Sequence, residues 1–180
     1  RNPNAVAHLA TALRRGLAAA GMAACGKHYP GHGHVAADSH TDVPVDPRPF
    51  AAIAGEDLVP FAALAREGLE SVMVAHVVYP AIDDVPAGYS SRWCTEVLRG
   101  RLGFDGLVFS DDLGMAGAAT AGDLVARADA AARAGCDVML ACTDMAAADD
   151  LLARWRPLPG PDLARRWSRV AGRAGGDCPA

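Results

Sequence analysis

The 180-residue sequence has no CxxC pair, no block of lysine or arginine, and no apolar run near the roughly 18 residues that span a bilayer as a helix. Each absence removes a class of function. Without CxxC pairs there is no zinc ribbon and no thioredoxin-type redox centre. The five cysteines are odd in number and scattered. Cys25, Cys136 and Cys142 lie in or beside apolar, strand-like runs, where a thiol behaves as a small hydrophobe. The cysteines are therefore expected to be reduced and buried, in a cytoplasmic protein. Without a basic block, and with a net charge of −4, there is no electrostatic footprint for nucleic acid. The most apolar stretch, LESVMVAHVVYPAI, is short and interrupted by His76, so no membrane partner is expected. No signal peptide and no initiating methionine open the chain, which starts at Arg1 as if inside a domain.

What is present reads as one globular domain, with 51% hydrophobic and 21% charged residues. Asn2 and Pro3 suit the cap and first turn of a helix over NPNAVAHLATALRRGLAAAGM, closed by Gly21. AACGKHY follows as a short strand, EDLVPFAALAREG as a helix and SVMVAHVV as a buried strand. YPAIDDVPAGY is a loop, SSRWCTEVLRGRLG a helix and GLVFS a third strand. AGDLVARADAAARAG is a helix, CDVMLAC a fourth strand, and the tail is helical. Short, continuously apolar strands alternating with helices predict a parallel sheet covered on both faces. An open doubly wound sheet and part of a (β/α)8 barrel both fit, and both place chemistry at the C-terminal strand ends. Polar residues gather there: Lys27-His28, His76, Ser110-Asp111-Asp112 and Thr143-Asp144. A full barrel has eight strands and about 250 residues, so a barrel here would be about half of one.

The stretch KHYPGHGHVAADSH, Lys27 to His40, carries four histidines, a lysine and an aspartate. GHGHVA formally matches a dinucleotide-binding turn, but that fingerprint needs a helix to start inside it. The chain instead runs into prolines 44, 47 and 49, and this reading is rejected. A metal site could draw on His32, His34, Asp38 and His40, with His76 and Asp111 from neighbouring strand ends. A glycosidase needs a nucleophile and an acid/base group on either side of a sugar's anomeric carbon. Asp111 stands where a rigid strand-end carboxylate should, and His40 with Asp38 could form an imidazole–carboxylate dyad that moves a proton. Structural roles compete with each of these. Lys27-His28 could be an ordinary strand-end pair, His76 a core histidine, and Asp111-Asp112 a helix cap, a role that suits Asp112 in particular. Composition and spacing leave these readings open.

Three segments, GKHYPGHGHVAADSHTDVPVDPRP, VMVAHVVYP and LGFDGLVFSDDLGMAGA, closely resemble the family 3 glycoside hydrolases, above all the bacterial β-N-acetylhexosaminidases of cell-wall recycling. The resemblance implies a (β/α)8-type barrel and a two-step retaining mechanism without metal or organic cofactor. By motif, Asp111 corresponds to the nucleophile, His40 to the general acid/base and Asp38 to its dyad partner. Lys27 and His28 match the pair that binds sugar hydroxyls, and His76 joins them as a substrate-binding candidate. The implied substrate is an N-acetylglucosamine-containing muropeptide or chitooligosaccharide, with phosphate as a further candidate acceptor. The chain aligns with about four βα units of the family's barrel, its second half. Residues 1–180 are thus expected to form a single, truncated catalytic domain whose unpaired strand edges invite self-association.

Overall fold

The structure is a computed structural model that describes residues 2–35, 43–157 and 160–171. Helix α1 (Pro3–Ala19) opens as the sequence predicts, the Asn2 side chain accepting from the amides of Asn4 and Ala5. Such a cap supplies acceptors for amides that have no partner within the helix. Gly21, at φ +76°, ends the helical turn, and the chain enters strand β1 (Cys25–Tyr29). Helices α2 (Phe50–Gly55) and α3 (Leu58–Arg66) lead to β2 (Ser71–Val74). A short antiparallel pair follows, β3 (Val78–Tyr79) with β4 (Asp83–Pro86). A π-wound helix, Arg92–Arg101, precedes β5 (Leu107–Asp112). Then come α4 (Leu124–Ala134), β6 (Val138–Leu140), α5 (Met145–Arg154) and α6 (Leu163–Trp167).

The main sheet is parallel throughout, in the order β1-β2-β5-β6. Spatial order follows chain order without the reversal that a doubly wound sheet requires. Of the two architectures the sequence allows, the structure therefore selects four units of a partial (β/α)8-type barrel. One row crosses it, with Lys27 beside Met73, Met73 beside Phe109 and Phe109 beside Val138; the register then shifts after Lys27 in β1–β2 and after Phe109 in β5–β6.

The core sits between this sheet and its helices. Tyr29, Tyr79 and Trp93 are completely buried, with the Trp93 ring 6.1 Å from Tyr29 and 5.0 Å from Tyr79, both edge-on. The Tyr29 hydroxyl donates to the Trp93 carbonyl at 3.0 Å, so burial leaves its polar tip satisfied. Helix α1 is tied to the sheet by Arg14, which donates to the Gly68 carbonyl at 3.0 Å and pairs with Glu70. Gly106 is required by close approach: a Cβ there would lie 2.4 Å from the Glu70 carbonyl oxygen.

Two expectations are corrected. SVMVAHVV is not one strand: it leaves the sheet after Val74, and Val78–Tyr79 pairs with Asp83–Pro86 inside the segment expected to be loop. An apolar run reports burial, and burial alone does not show where a strand ends. Helix α2 begins at Phe50, just beyond prolines 44, 47 and 49, and residues 43–49 are not helical. Of the cysteines, Cys94 and Cys136 are buried, whereas Cys25 and Cys142 are exposed. Cys25 lies on an edge strand with one uncovered face, and Cys142 lies past the end of β6.

Candidate active site

A parallel sheet brings every strand's C-terminal end to one rim. The rim here carries Lys27 and His28 from β1, His76 just beyond β2, Asp111 and Asp112 from β5, and Thr143 beyond β6. Asp111 is partly buried, and its Oδ1 accepts from the Asp112 amide at 2.9 Å. Its Oδ2 lies 3.7 Å from His28 Nε2. This contact crosses from β1 over the intervening β2, so two residues expected in the site are brought face to face. Lys27 is exposed, and it is the only lysine among the chain's 17 Lys and Arg residues.

His76, expected among the substrate-binding side chains, is instead completely buried. Its Nε2 lies 3.1 Å from the Asp112 carbonyl oxygen, so Nε2 carries the proton and donates. Nδ1 has no hydrogen-bond partner and faces Gly88, where a Cβ would lie at 3.8 Å. Burial holds the imidazole pKa below its usual 6.5, although the charges of Asp111 and Asp112 pull the other way. His76 is therefore a neutral buttress beneath β5.

Asp112 was expected to cap a following helix, and the structure gives it another task. Its Oδ1 accepts from the amides of Gly114 and Cys142, each at 3.0 Å, and its Oδ2 from the Thr143 hydroxyl. Partial burial raises its pKa, but these hydrogen bonds outweigh that and hold the carboxyl below the ordinary range. Ser110, also buried, accepts from the Leu140 amide at 3.0 Å. Ser110 and Asp112 thus clamp β5 to β6 and its exit, leaving Asp111 between them to face the rim.

The loop after β1 is braced from both ends by residues the sequence reading had not singled out. Tyr79 donates its hydroxyl to the Gly31 carbonyl. Beyond the loop, the Asp46 amide donates to the Val78 carbonyl and the Val78 amide to the Pro44 carbonyl, each at 2.9 Å. The Arg48 guanidinium binds both oxygens of the buried Asp46, the nearest at 2.7 Å, and reaches Asp57 at 2.8 Å and Glu56 at 3.1 Å. Burial would raise the Asp46 pKa, but hydrogen bonds from Arg48 reverse that and lower it. The D-P-R spacing is the one sequence signal for this brace, a carboxylate and guanidinium two residues apart across a rigid proline. Asp38 and His40, the proposed dyad, lie outside the described residues. Among the described residues, no three His, Cys, Asp or Glu side chains could hold a metal ion together.

Residues 1–170 match the glycosyl hydrolase family 3 N-terminal domain. A beta-hexosaminidase of Chromobacterium violaceum is 56% identical over 174 residues, which cover 97% of this chain and 49% of that protein. One of Bordetella avium is 58% identical over 167 residues, 92% of this chain and 47% of that protein. Among solved structures, NagZ from Neisseria gonorrhoeae in complex with N-trifluoroacetyl-D-glucosamine aligns with a TM-score of 0.88 and 46% identity. That alignment covers 97% of this chain and 50% of NagZ. The same NagZ has also been solved in complex with a zinc ion. The chain belongs to glycosyl hydrolase family 3, and it spans about half the length of the curated relatives it matches.

Proposed function

We propose that this chain carries the nucleophile-bearing half of a retaining exo-β-N-acetylglucosaminidase. The substrate would be terminal β-linked N-acetylglucosamine on peptidoglycan-derived muropeptides or chitooligosaccharides. The observation that carries the reading is the Asp111 carboxylate on the strand-end rim, with His28 Nε2 3.7 Å from its Oδ2. The names of the relatives and the sugar analogue bound to gonococcal NagZ support the choice of sugar.

In the first step Asp111 attacks C1 of the sugar. His40, oriented by Asp38, protonates the departing oxygen, and the aglycone leaves with that proton. In the second step the imidazole takes a proton from water, which displaces Asp111 and releases the sugar with its original configuration. Lys27 and His28 bind the ring hydroxyls and keep the anomeric carbon over Asp111. His76 and Asp112 act from below, holding the strand end so that the nucleophile needs little reorganisation.

The test is a covalent trap. A 5-fluorinated N-acetylglucosaminyl fluoride should add one glycosyl group to the peptide containing Asp111, with or without a strong chelator, and Asp111→Asn should take up none. Label on another peptide, or labelling that the chelator abolishes, removes the assignment. Hydrolysis of the nitrophenyl β-N-acetylglucosaminide should fall at least about a thousandfold in the same variant, as expected when a covalent step is lost.

A further inference from the structure

The geometry points to Arg127, on α4, as a positioning residue for Asp111, and the inference rests on the nucleophile role proposed above. The Arg127 guanidinium donates from Nη1 to the Leu113 carbonyl and from Nε to the Gly122 carbonyl, each at 2.7 Å. Leu113 lies two residues beyond Asp111, and Gly122 directly precedes Asp123, the cap of α4. One side chain therefore pins both ends of the loop that leads from the nucleophile's strand into the helix.

The peptide groups after Asp111 can be followed one by one to their partners. The Asp112 amide donates to the Asp111 carboxylate, and the Asp112 carbonyl accepts from His76 Nε2 and from the Met115 amide. The Leu113 amide donates to the Leu140 carbonyl at 2.8 Å, and the Gly114 amide to Asp112 Oδ1 at 3.0 Å. The Leu113 carbonyl remains, and Arg127 is its donor. Leu113 is completely buried. Without Arg127 its carbonyl would stand unpaired, a cost that the chain relieves by moving.

The choice of partners sets Arg127 apart from its neighbours. Arg133 and Arg154, both exposed, pair with the carboxylates of Asp129, Asp123 and Asp150. Among the described residues Arg127 forms no ion pair and bonds two carbonyls instead. Bonds from a charged donor are the stronger kind, and the planar fork of an arginine reaches two acceptors at once. Tyr89 completes the hold at the middle of the loop. Its hydroxyl donates to the Ala118 carbonyl at 3.0 Å, within the 3-10 turns of Ala116–Ala121. Asp111 takes part in both chemical steps, first as the attacking group and then as the leaving group. A carboxylate displaced by about 1 Å slows both, by up to about a hundredfold. Lys27 and His28, which bind the sugar in this reading, sit on β1, so affinity should change little.

The test is the rate at which the 5-fluorinated N-acetylglucosaminyl fluoride labels the Asp111 peptide, measured per reactive site across trap concentrations. In Arg127→Ala the limiting rate should fall at least about tenfold, with the half-saturating concentration within about twofold of wild type. Methylguanidinium at millimolar concentration should restore part of that rate, because it returns donors to the vacated place. Arg127→Lys, which can reach one carbonyl only, should fall in between. If the alanine variant does not fold, the lysine variant decides, and a wild-type rate in it overturns the inference. Arg133→Ala, on the same helix but exposed, should label as wild type does. With no sugar present, amide exchange at Leu113, Gly114 and Met115 should quicken in Arg127→Ala, and unchanged exchange there overturns the inference. A purely structural role would lower the fraction of chains that label and leave the rate of the rest unchanged. That result overturns it too, as does a wild-type limiting rate in Arg127→Ala. A wild type that takes up no label removes the nucleophile assignment, and this inference with it.

Discussion

His76 illustrates how a single residue's role depends on which way it faces. It sits beside a strand end, where catalytic residues gather, yet its ring is buried and donates to the Asp112 carbonyl. Replacing it with phenylalanine fills the space but leaves that carbonyl unpaired, at a cost of about 1–3 kcal/mol. The pH dependence gives a sharper test. Above the ordinary imidazole pKa of 6.5 the histidine is neutral in both folded and unfolded chains. As pH falls below that value, the unfolded chain takes up a proton that the buried ring resists. The wild type should therefore lose stability between about pH 6.5 and its lowered folded pKa, and His76→Phe should lack that slope. Urea unfolding at several pH values between 7.5 and 5 measures it, and an unchanged slope in the variant would assign it elsewhere. Lys27, His28 and Asp111 were legible in the sequence because each ends a recognisable strand. A core role for His76 was among the readings of the sequence, but its partner was not legible, because the contact joins residues 36 apart.

At the scale of elements, the loop after β1 is held by its stems. Arg48 is the centre of that brace, with 14% of its side chain exposed against the 1% of Asp46. Removing one partner of a buried pair strands the other charge, so Arg48→Ala should cost about 3–5 kcal/mol. Arg48→Lys keeps the charge but loses the planar fork that binds both Asp46 oxygens and Asp57, and its loss should fall between wild type and Ala. Denaturant midpoints rank the three proteins, and equal stability of Lys and Arg would show that charge alone suffices. The sequence made the helix–strand alternation plain, because apolar runs and caps are local. It concealed the Val74–Val78 break and the β3–β4 pair, because a buried run looks the same whether it forms one strand or two.

For the whole molecule, a strand's place in the described sheet sets how easily it opens. Amide exchange should be slowest in β2 and β5, the central strands, at all protein concentrations. Faster exchange in β2 or β5 than in β1 or β6 would overturn that order.

The amino-acid sequence by itself determined the parallel sheet and the shared rim. Short apolar strands alternating with helices can bury both sheet faces in few other ways, and parallel strands all end on one side. It thereby set Lys27, His28 and Asp111 on that rim. Only the tertiary structure decided which polar strand-end groups face the rim and which support it. It turned His76 and Asp112 inward and brought His28 to Asp111 across an intervening strand. Those outcomes depend on where each strand leaves the sheet and on contacts between residues distant in sequence, which no local pattern encodes.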